Sequence, residues 1–164
     1  MPDSNADAFM HEGHDHERCL DDAVVRAEEL CRERGARLTP LRRQVLELVW
    51  SGHKPLGAYE ILESLQAERG GAAPPTVYRA LEFLRAHGLV HRIESLNAFV
   101  GCAEPDGHHG AQHGAQFLIC RSCGAVAELS DDRITKAIRG SAEKTGFAID
   151  NATIEIEGYC PHCQ

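Results

Sequence analysis

Two pairs of cysteines set the tightest limit on what this chain can fold into. Cys120-x-x-Cys123 and Cys160-x-x-Cys163 stand with 36 residues between them. The apolar run "FLIC" leads into the first pair and "GAVAEL" follows it. "DDRITKAIRGSAEKTG" reads as a helix, with Asp131 or Asp132 near its cap and Gly146 at its end. "FAIDNATIEIEGYC" then alternates at Ile154, Glu155, Ile156 and Glu157, as a strand does. The prediction is a small α/β domain of three strands and one helix. So small a piece has too little core to hold itself and needs a staple or a partner. Four thiolates at two strand ends suit a closed tetrahedral zinc site, whose binding energy becomes folding energy. The rival, a dithiol redox site of the thioredoxin kind, needs a βαβ context that the pattern lacks.

The wider composition agrees with metal. Seven cysteines and ten histidines occur in 164 residues, and C-x-x-C pairs in a reducing compartment more often hold metal or do redox chemistry than form structural disulfides. No apolar run approaches the roughly 18 residues of a spanning helix. The first residues, "MPDSNADAFMHEGHDHERC", lack the basic-then-apolar order of a signal peptide, so the chain reads as cytoplasmic.

The net charge of −8 is unevenly spread. Residues 1–31 carry a net −7, residues 32–92 a net +4 and residues 93–164 a net −5. A locally basic middle is the footprint that phosphate binding needs. In that middle, "DDAVVRAEELCRERG" reads as a helix stopped by Gly35. "LTPLRRQVLELVWSG" begins with Thr39 as N-cap and Pro40 at the first helical position, with Leu41, Val45, Leu48 and Val49 on one face. "GAYEILESLQAERGG" puts Ala58, Ile61, Leu62 and Leu65 on one stripe, and "PPTVYRALEFLRAHG" does the same with Val77, Ala80, Leu81 and Leu84. "LVHRIESLNAFVGC" follows as a β-hairpin turning at Glu94-Ser95-Leu96-Asn97. Four helices and a hairpin are the order of a winged helix-turn-helix with one extra leading helix, the alternative being a small helical bundle with a stray hairpin. Thr76, Tyr78 and Arg79 fall near the start of the last helix, off its apolar stripe, where a recognition helix presents base-reading groups.

The hairpin carries chemistry of its own. His91 lies in its first strand and Cys102 closes its second; with His113 in the Gly- and His-rich linker and Glu128 beyond the first C-x-x-C, they make a plausible four-coordinate zinc set. Each residue alone also has an ordinary reading, as an exposed histidine, a buried free thiol, a linker histidine and a surface carboxylate. The tail "HEGHDHERC" offers His11, His14, His16 and Cys19 as an auxiliary metal arm or as a plain polar tail. Cys31 is expected to be a small buried apolar residue.

"RLTPLRRQVL", "PPTVYRALEFLRAHGLVHRIES" and "FLICRSCGAVAEL" together resemble the ferric uptake regulator family. "VHRIESLNAFVGC" and "GYCPHC" resemble its zinc uptake regulator branch. The resemblance runs from about residue 20 to residue 163. It implies an α+β fold, with an N-terminal winged helix-turn-helix domain and a small C-terminal α/β dimerisation domain, and repression of transcription when metal is bound. The expected division is a tail over 1–19, the DNA-binding domain over 20–102, a hinge over 103–116 and the dimerisation domain over 117–164. The resemblance places a structural zinc at Cys120, Cys123, Cys160 and Cys163. It places a regulatory zinc at His91, Cys102, His113 and Glu128, with His108 and His109 as substitutes for His113. Two zinc ions per protomer follow. It matches Thr76, Tyr78 and Arg79 to the DNA-contacting face and Arg37 and Arg42 to a phosphate-side contribution. The partners implied are a palindromic double-stranded operator and a second copy of the chain.

Departures from the iron-sensing pattern favour zinc. The dense histidine run expected before the first C-x-x-C is broken to "GHHGAQHGAQ", and residues 114–161 contain no histidine. A cysteine in the sensing set suits Zn²⁺ better than a hard iron site. The alternatives are a sensor of another metal or of peroxide, a thiol-redox protein using the C-x-x-C pairs, and a zinc-storage protein using the tail. No Ser-His-Asp arrangement, P-loop or dinucleotide fingerprint is present, so the chain is not read as an enzyme and no small-molecule substrate beyond a metal ion is expected.

Overall fold

The computed structural model describes residues 9, 16–52, 54–69, 73–103, 105 and 115–164. From His16 onward they divide into two compact units, one ending at Pro105 and the other formed by the residues from Ala115.

The first unit holds α1 (His16–Glu33), α2 (Pro40–Trp50), β1 (Leu56–Gly57), α3 (Ala58–Arg69), α4 (Pro74–Ala86), β2 (Val90–Ile93) and β3 (Ala98–Gly101). Helix α2 starts where the sequence signals it, with Thr39 extended and its hydroxyl accepting from the Arg42 N–H at 3.4 Å. The predicted stripes meet in one core: Ile61, Leu62 and Leu65 of α3 with Val77, Ala80, Leu81 and Leu84 of α4, against Ala27, Leu30 and Cys31 of α1. Cys31 is buried, as expected of a small apolar residue, and burial pushes its thiol pKa up. Leu46 of α2 joins this core, whereas Leu41 and Leu48 only flank it.

Helix α1 begins at His16, ahead of the Asp21-Asp22 start that the acidic pair suggested. Strand β1 was not predicted at all. Its two residues pair with β3, Leu56 opposite Phe99, giving an antiparallel sheet in the order β1-β3-β2. The wing turns at residues 94–97, where Asn97 adopts φ +48° and its side chain accepts from Arg92 Nη2 at 2.8 Å. The order α2, α3, α4, wing is a winged helix-turn-helix.

The second unit holds β4 (Ala115–Cys120), β5 (Val126–Leu129), α5 (Asp132–Lys144) and β6 (Thr153–Gly158). Strand β4 is central, antiparallel to β5 and parallel to β6. Phe117 and Ile119 of β4 and Ala127 of β5 are buried, while no side chain of α5 is fully buried. Gln116, buried on β4, donates to the Asp131 carbonyl and to Thr135 Oγ1, both at 3.1 Å, and so ties the start of α5 to the sheet. The fold class is α+β, as expected. Among the described residues, no helix is long and apolar enough to cross a membrane.

Candidate metal centre and nucleic-acid interface

Parallel pairing of β4 with β6 sets Cys120 opposite Gly158, so both C-x-x-C segments leave the sheet at the same end. The first turns back through Gly124 at φ +75°, where the left-handed region favours glycine. Its backbone bonds run from Gly124 N–H to the Cys120 carbonyl and from Cys120 N–H to the Ala125 carbonyl, both 2.9 Å. The second turn closes with Cys163 N–H donating to the Cys160 carbonyl at 2.9 Å. Arg121 N–H donates to the Gly158 carbonyl and joins the two.

These turns bring the four sulfurs of Cys120, Cys123, Cys160 and Cys163 within 4.8 Å of one another. Cys123 Sγ and Cys160 Sγ are 3.8 Å apart. A tetrahedron with metal–sulfur bonds of about 2.3 Å has sulfur–sulfur edges of about 3.8 Å, so the pocket fits a zinc ion. Backbone N–H groups of Cys123 and Cys160 aim at Cys120 and hold its thiol down at about 6. Ser122 favours the Cys163 thiolate, but the neighbouring sulfurs and burial prevail and push that thiol up to about 11. A lowered Cys120 beside a raised Cys163 suits a site that a divalent cation completes by displacing protons.

The wing holds the second candidate. In the β2–β3 ladder His91 faces Val100 and Val90 faces Gly101, and Cys102 N–H donates to the Leu89 carbonyl at 3.1 Å. His91 and Cys102 are therefore diagonal neighbours on one face of the ribbon. A ring nitrogen of His91 lies within 4.8 Å of Cys102 Sγ. Glu128 belongs to the second unit, half-buried on β5 opposite Phe117. His113, with its substitutes His108 and His109, lies outside the described residues, as do His11 and His14 of the tail. His16 opens α1, and Cys19 is half-buried on that helix.

Helix α4 presents Thr76, Tyr78 and Arg79 on its exposed side, opposite the buried Val77, Ala80, Leu81 and Leu84. Arg37 is exposed. Arg42 is already engaged: its guanidinium stacks 3.5 Å over the Phe83 ring and donates to the Arg37 carbonyl at 2.7 Å. It braces α2 against α4. Sequence reasoning passed over Tyr59, a tyrosine 70% exposed in the first turn of α3, the helix before the recognition helix. A large aromatic off the Ala58, Ile61, Leu62, Leu65 stripe was the available signal.

The model of the ferric uptake regulator family matches residues 33–157. The chain belongs to the ferric uptake regulator family. Within that family it is similar to the zinc uptake regulation protein of Escherichia coli K12, at 39% identity over 140 residues spanning 85% of this chain and 80% of that one. Among solved structures, this family member is similar to a zinc uptake regulator complexed with zinc and DNA, with a TM-score of 0.82 and 38% identity over 88% of this chain and 94% of the other. It is similar also to holo XcZur, with a TM-score of 0.79 and 43% identity over 87% and 97%.

Proposed function

We propose that this regulator is a homodimeric, zinc-responsive transcriptional repressor that binds a palindromic operator when its sensing site is filled. The observation that carries the reading is the His91–Cys102 pair, a borderline-soft donor set built into the wing that follows the recognition helix. Cys120, Cys123, Cys160 and Cys163 hold a structural zinc. His91, Cys102, His113 and Glu128 hold the regulatory zinc, which makes two ions per protomer; donor chemistry and the family resemblance support this set. The protein works in the cytoplasm, and it binds rather than transforms its ligands.

In this reading Thr76, Tyr78 and Arg79 enter the major groove. Arginine contacts guanine bidentately and tyrosine packs on a thymine methyl or bonds a phosphate. Arg37 and Arg42 add phosphate-side charge, and Tyr59 is a further candidate on the helix that crosses the backbone. The second copy covers the C-terminal unit, where Ile138, Phe147, Ile156 and Tyr159 are exposed large apolar or aromatic side chains. Dimerisation presents two recognition helices to two half-sites.

Zinc acts by binding the DNA-competent arrangement more tightly than the others. Such coupling is typically worth about 1–3 kcal/mol, and reciprocity requires DNA to tighten zinc binding by the same factor. The test is a titration, at fixed salt, of a palindromic duplex selected by the zinc-loaded protein. Wild type is expected to bind far more tightly with the second zinc than without it, and Cys102→Ser to lose that difference while remaining a folded dimer. Equal affinities for the two wild-type forms would refute the regulatory reading.

A further inference from the structure

Gly101 is the last residue of β3, immediately before Cys102, and its backbone is in an ordinary region, so glycine is not needed there for torsional freedom. It is needed for space. A Cβ at this position would stand 2.2 Å from Cε2, 2.3 Å from Nε1 and 2.7 Å from Cζ2 of Trp50. The indole therefore lies directly against the Gly101 backbone. Alternation along the strand puts this contact on the side of the ribbon opposite His91 and Cys102. Trp50 is the last residue of α2, packed against the hydrophobic core, and α2 in turn packs on α4. An aromatic plate anchored in the helical core thus backs the peptide from which Cys102 projects.

We propose that Trp50 is a positioning residue for the sensing thiol, fixing the end of β3 so that Cys102 and His91 are preset for zinc and filling the pair is felt at α2. This rests on the assignment of His91 and Cys102 to the regulatory site. The Trp50–Gly101 pair works by complementary size: a bulky partner on one element and none on the other. It explains why a chain with a single tryptophan places it beside the wing.

The test uses the full-length dimer with its four-cysteine site loaded. Affinity for the second zinc is read by chelator competition, and the emission of the lone tryptophan is followed during the same titration. Gly101→Ala is expected to weaken the second zinc by about 10-fold or more, the loss typical when a group that orients a metal ligand is disturbed, with the structural zinc retained. Adding Trp50→Ala to it removes the clash and is expected to recover part of the affinity. Trp50→Phe introduces no clash, so it decides the matter if Gly101→Ala does not fold; it is expected to lose affinity for the second zinc several-fold while remaining folded with its structural zinc retained. Wild-type emission is expected to shift as the second zinc binds, and Cys102→Ser to abolish the shift. Wild-type zinc affinity in Gly101→Ala or Trp50→Phe, or an emission unmoved by the second zinc, overturns the proposal. Undiminished uptake of the second zinc by Cys102→Ser locates the failure in the ligand assignment, and the positioning role falls with it.

Discussion

The winged-helix unit buries side chains from all four helices and from the wing, among them Leu30, Val45, Leu46, Ile61, Leu65, Leu81, Leu84 and Phe99, in one continuous core. The C-terminal unit buries Phe117, Ile119 and Ala127 together with Cys120 and Cys160, while no residue of its helix α5 is fully buried. In the proposed reading, one unit is held by apolar packing and the other by zinc on four sulfurs and by a partner. On that reading a structural metal replaces the core that about fifty residues cannot supply. The proposed sensing pair sits on the wing, whose fold is independently secured by apolar packing.

The sharpest way to break this comparison is Cys120→Ser. Structural zinc sites carry apparent binding energies of about 10–16 kcal/mol near neutral pH, so the C-terminal unit is expected to lose its fold and the dimer to dissociate. The winged-helix unit should keep its helical signal, which circular dichroism with size-exclusion chromatography will check. Acid should act in the same direction. Zinc must displace the proton of a Cys163 thiol pushed up to about 11, so zinc retention falls as pH falls; an affinity independent of pH would contradict this.

A core truncation reverses the target. Leu84→Ala is expected to destabilise the winged-helix unit by about 2–5 kcal/mol and to leave the structural zinc in place, as denaturant melts with metal analysis would reveal. On the DNA-facing side, Arg79→Ala should cost about 1–3 kcal/mol of specific affinity and relax the preference at one base position. A uniform loss across all sequences would reassign Arg79 to a phosphate. The smallest effect concerns the cap of α5. Asp131 accepts from Arg133 N–H at 2.8 Å and from its guanidinium at 2.6 Å, and Arg133 holds its carboxyl down at about 2. A depressed carboxylate stabilises above its unfolded pKa and loses that contribution as pH falls toward the folded one. The helix start is therefore expected to loosen between about pH 4 and pH 2. Asp131→Asn should flatten that part of a pH titration.

Local signals were readable wherever local physics decides. Thr39-Pro40 marked the start of α2, Asp131 capped α5, and the α4 stripe of Val77, Ala80, Leu81 and Leu84 is buried in full. The convergence of the four cysteines was readable too, because their spacing admits few other uses. What escaped depends on distant partners. Leu56 and Gly57 have no strand pattern and become β1 only because β3 offers an edge. Leu46 lies off the stripe read for α2 and is buried because helices pack around it on more than one side. The stacking of Arg42 over Phe83 likewise joins residues 41 positions apart, which no local pattern announces. The fit of Trp50 to Gly101 joins residues 51 positions apart through an absence of side chain, and no periodicity records an absence.

The parallel pairing of β4 with β6 also bears on the order of assembly. Ala115 lies opposite Thr153, 38 positions away, and every ladder bond between the two strands closes a loop of similar length. The β4–β5 pair and its cysteine turn close over far shorter stretches. Loop-closure entropy makes the long pairing the slow event. An ion caught early by Cys120 and Cys123 would wait half-coordinated for the last strand, so the maturation rate of this unit should rise with free zinc until strand docking alone limits it.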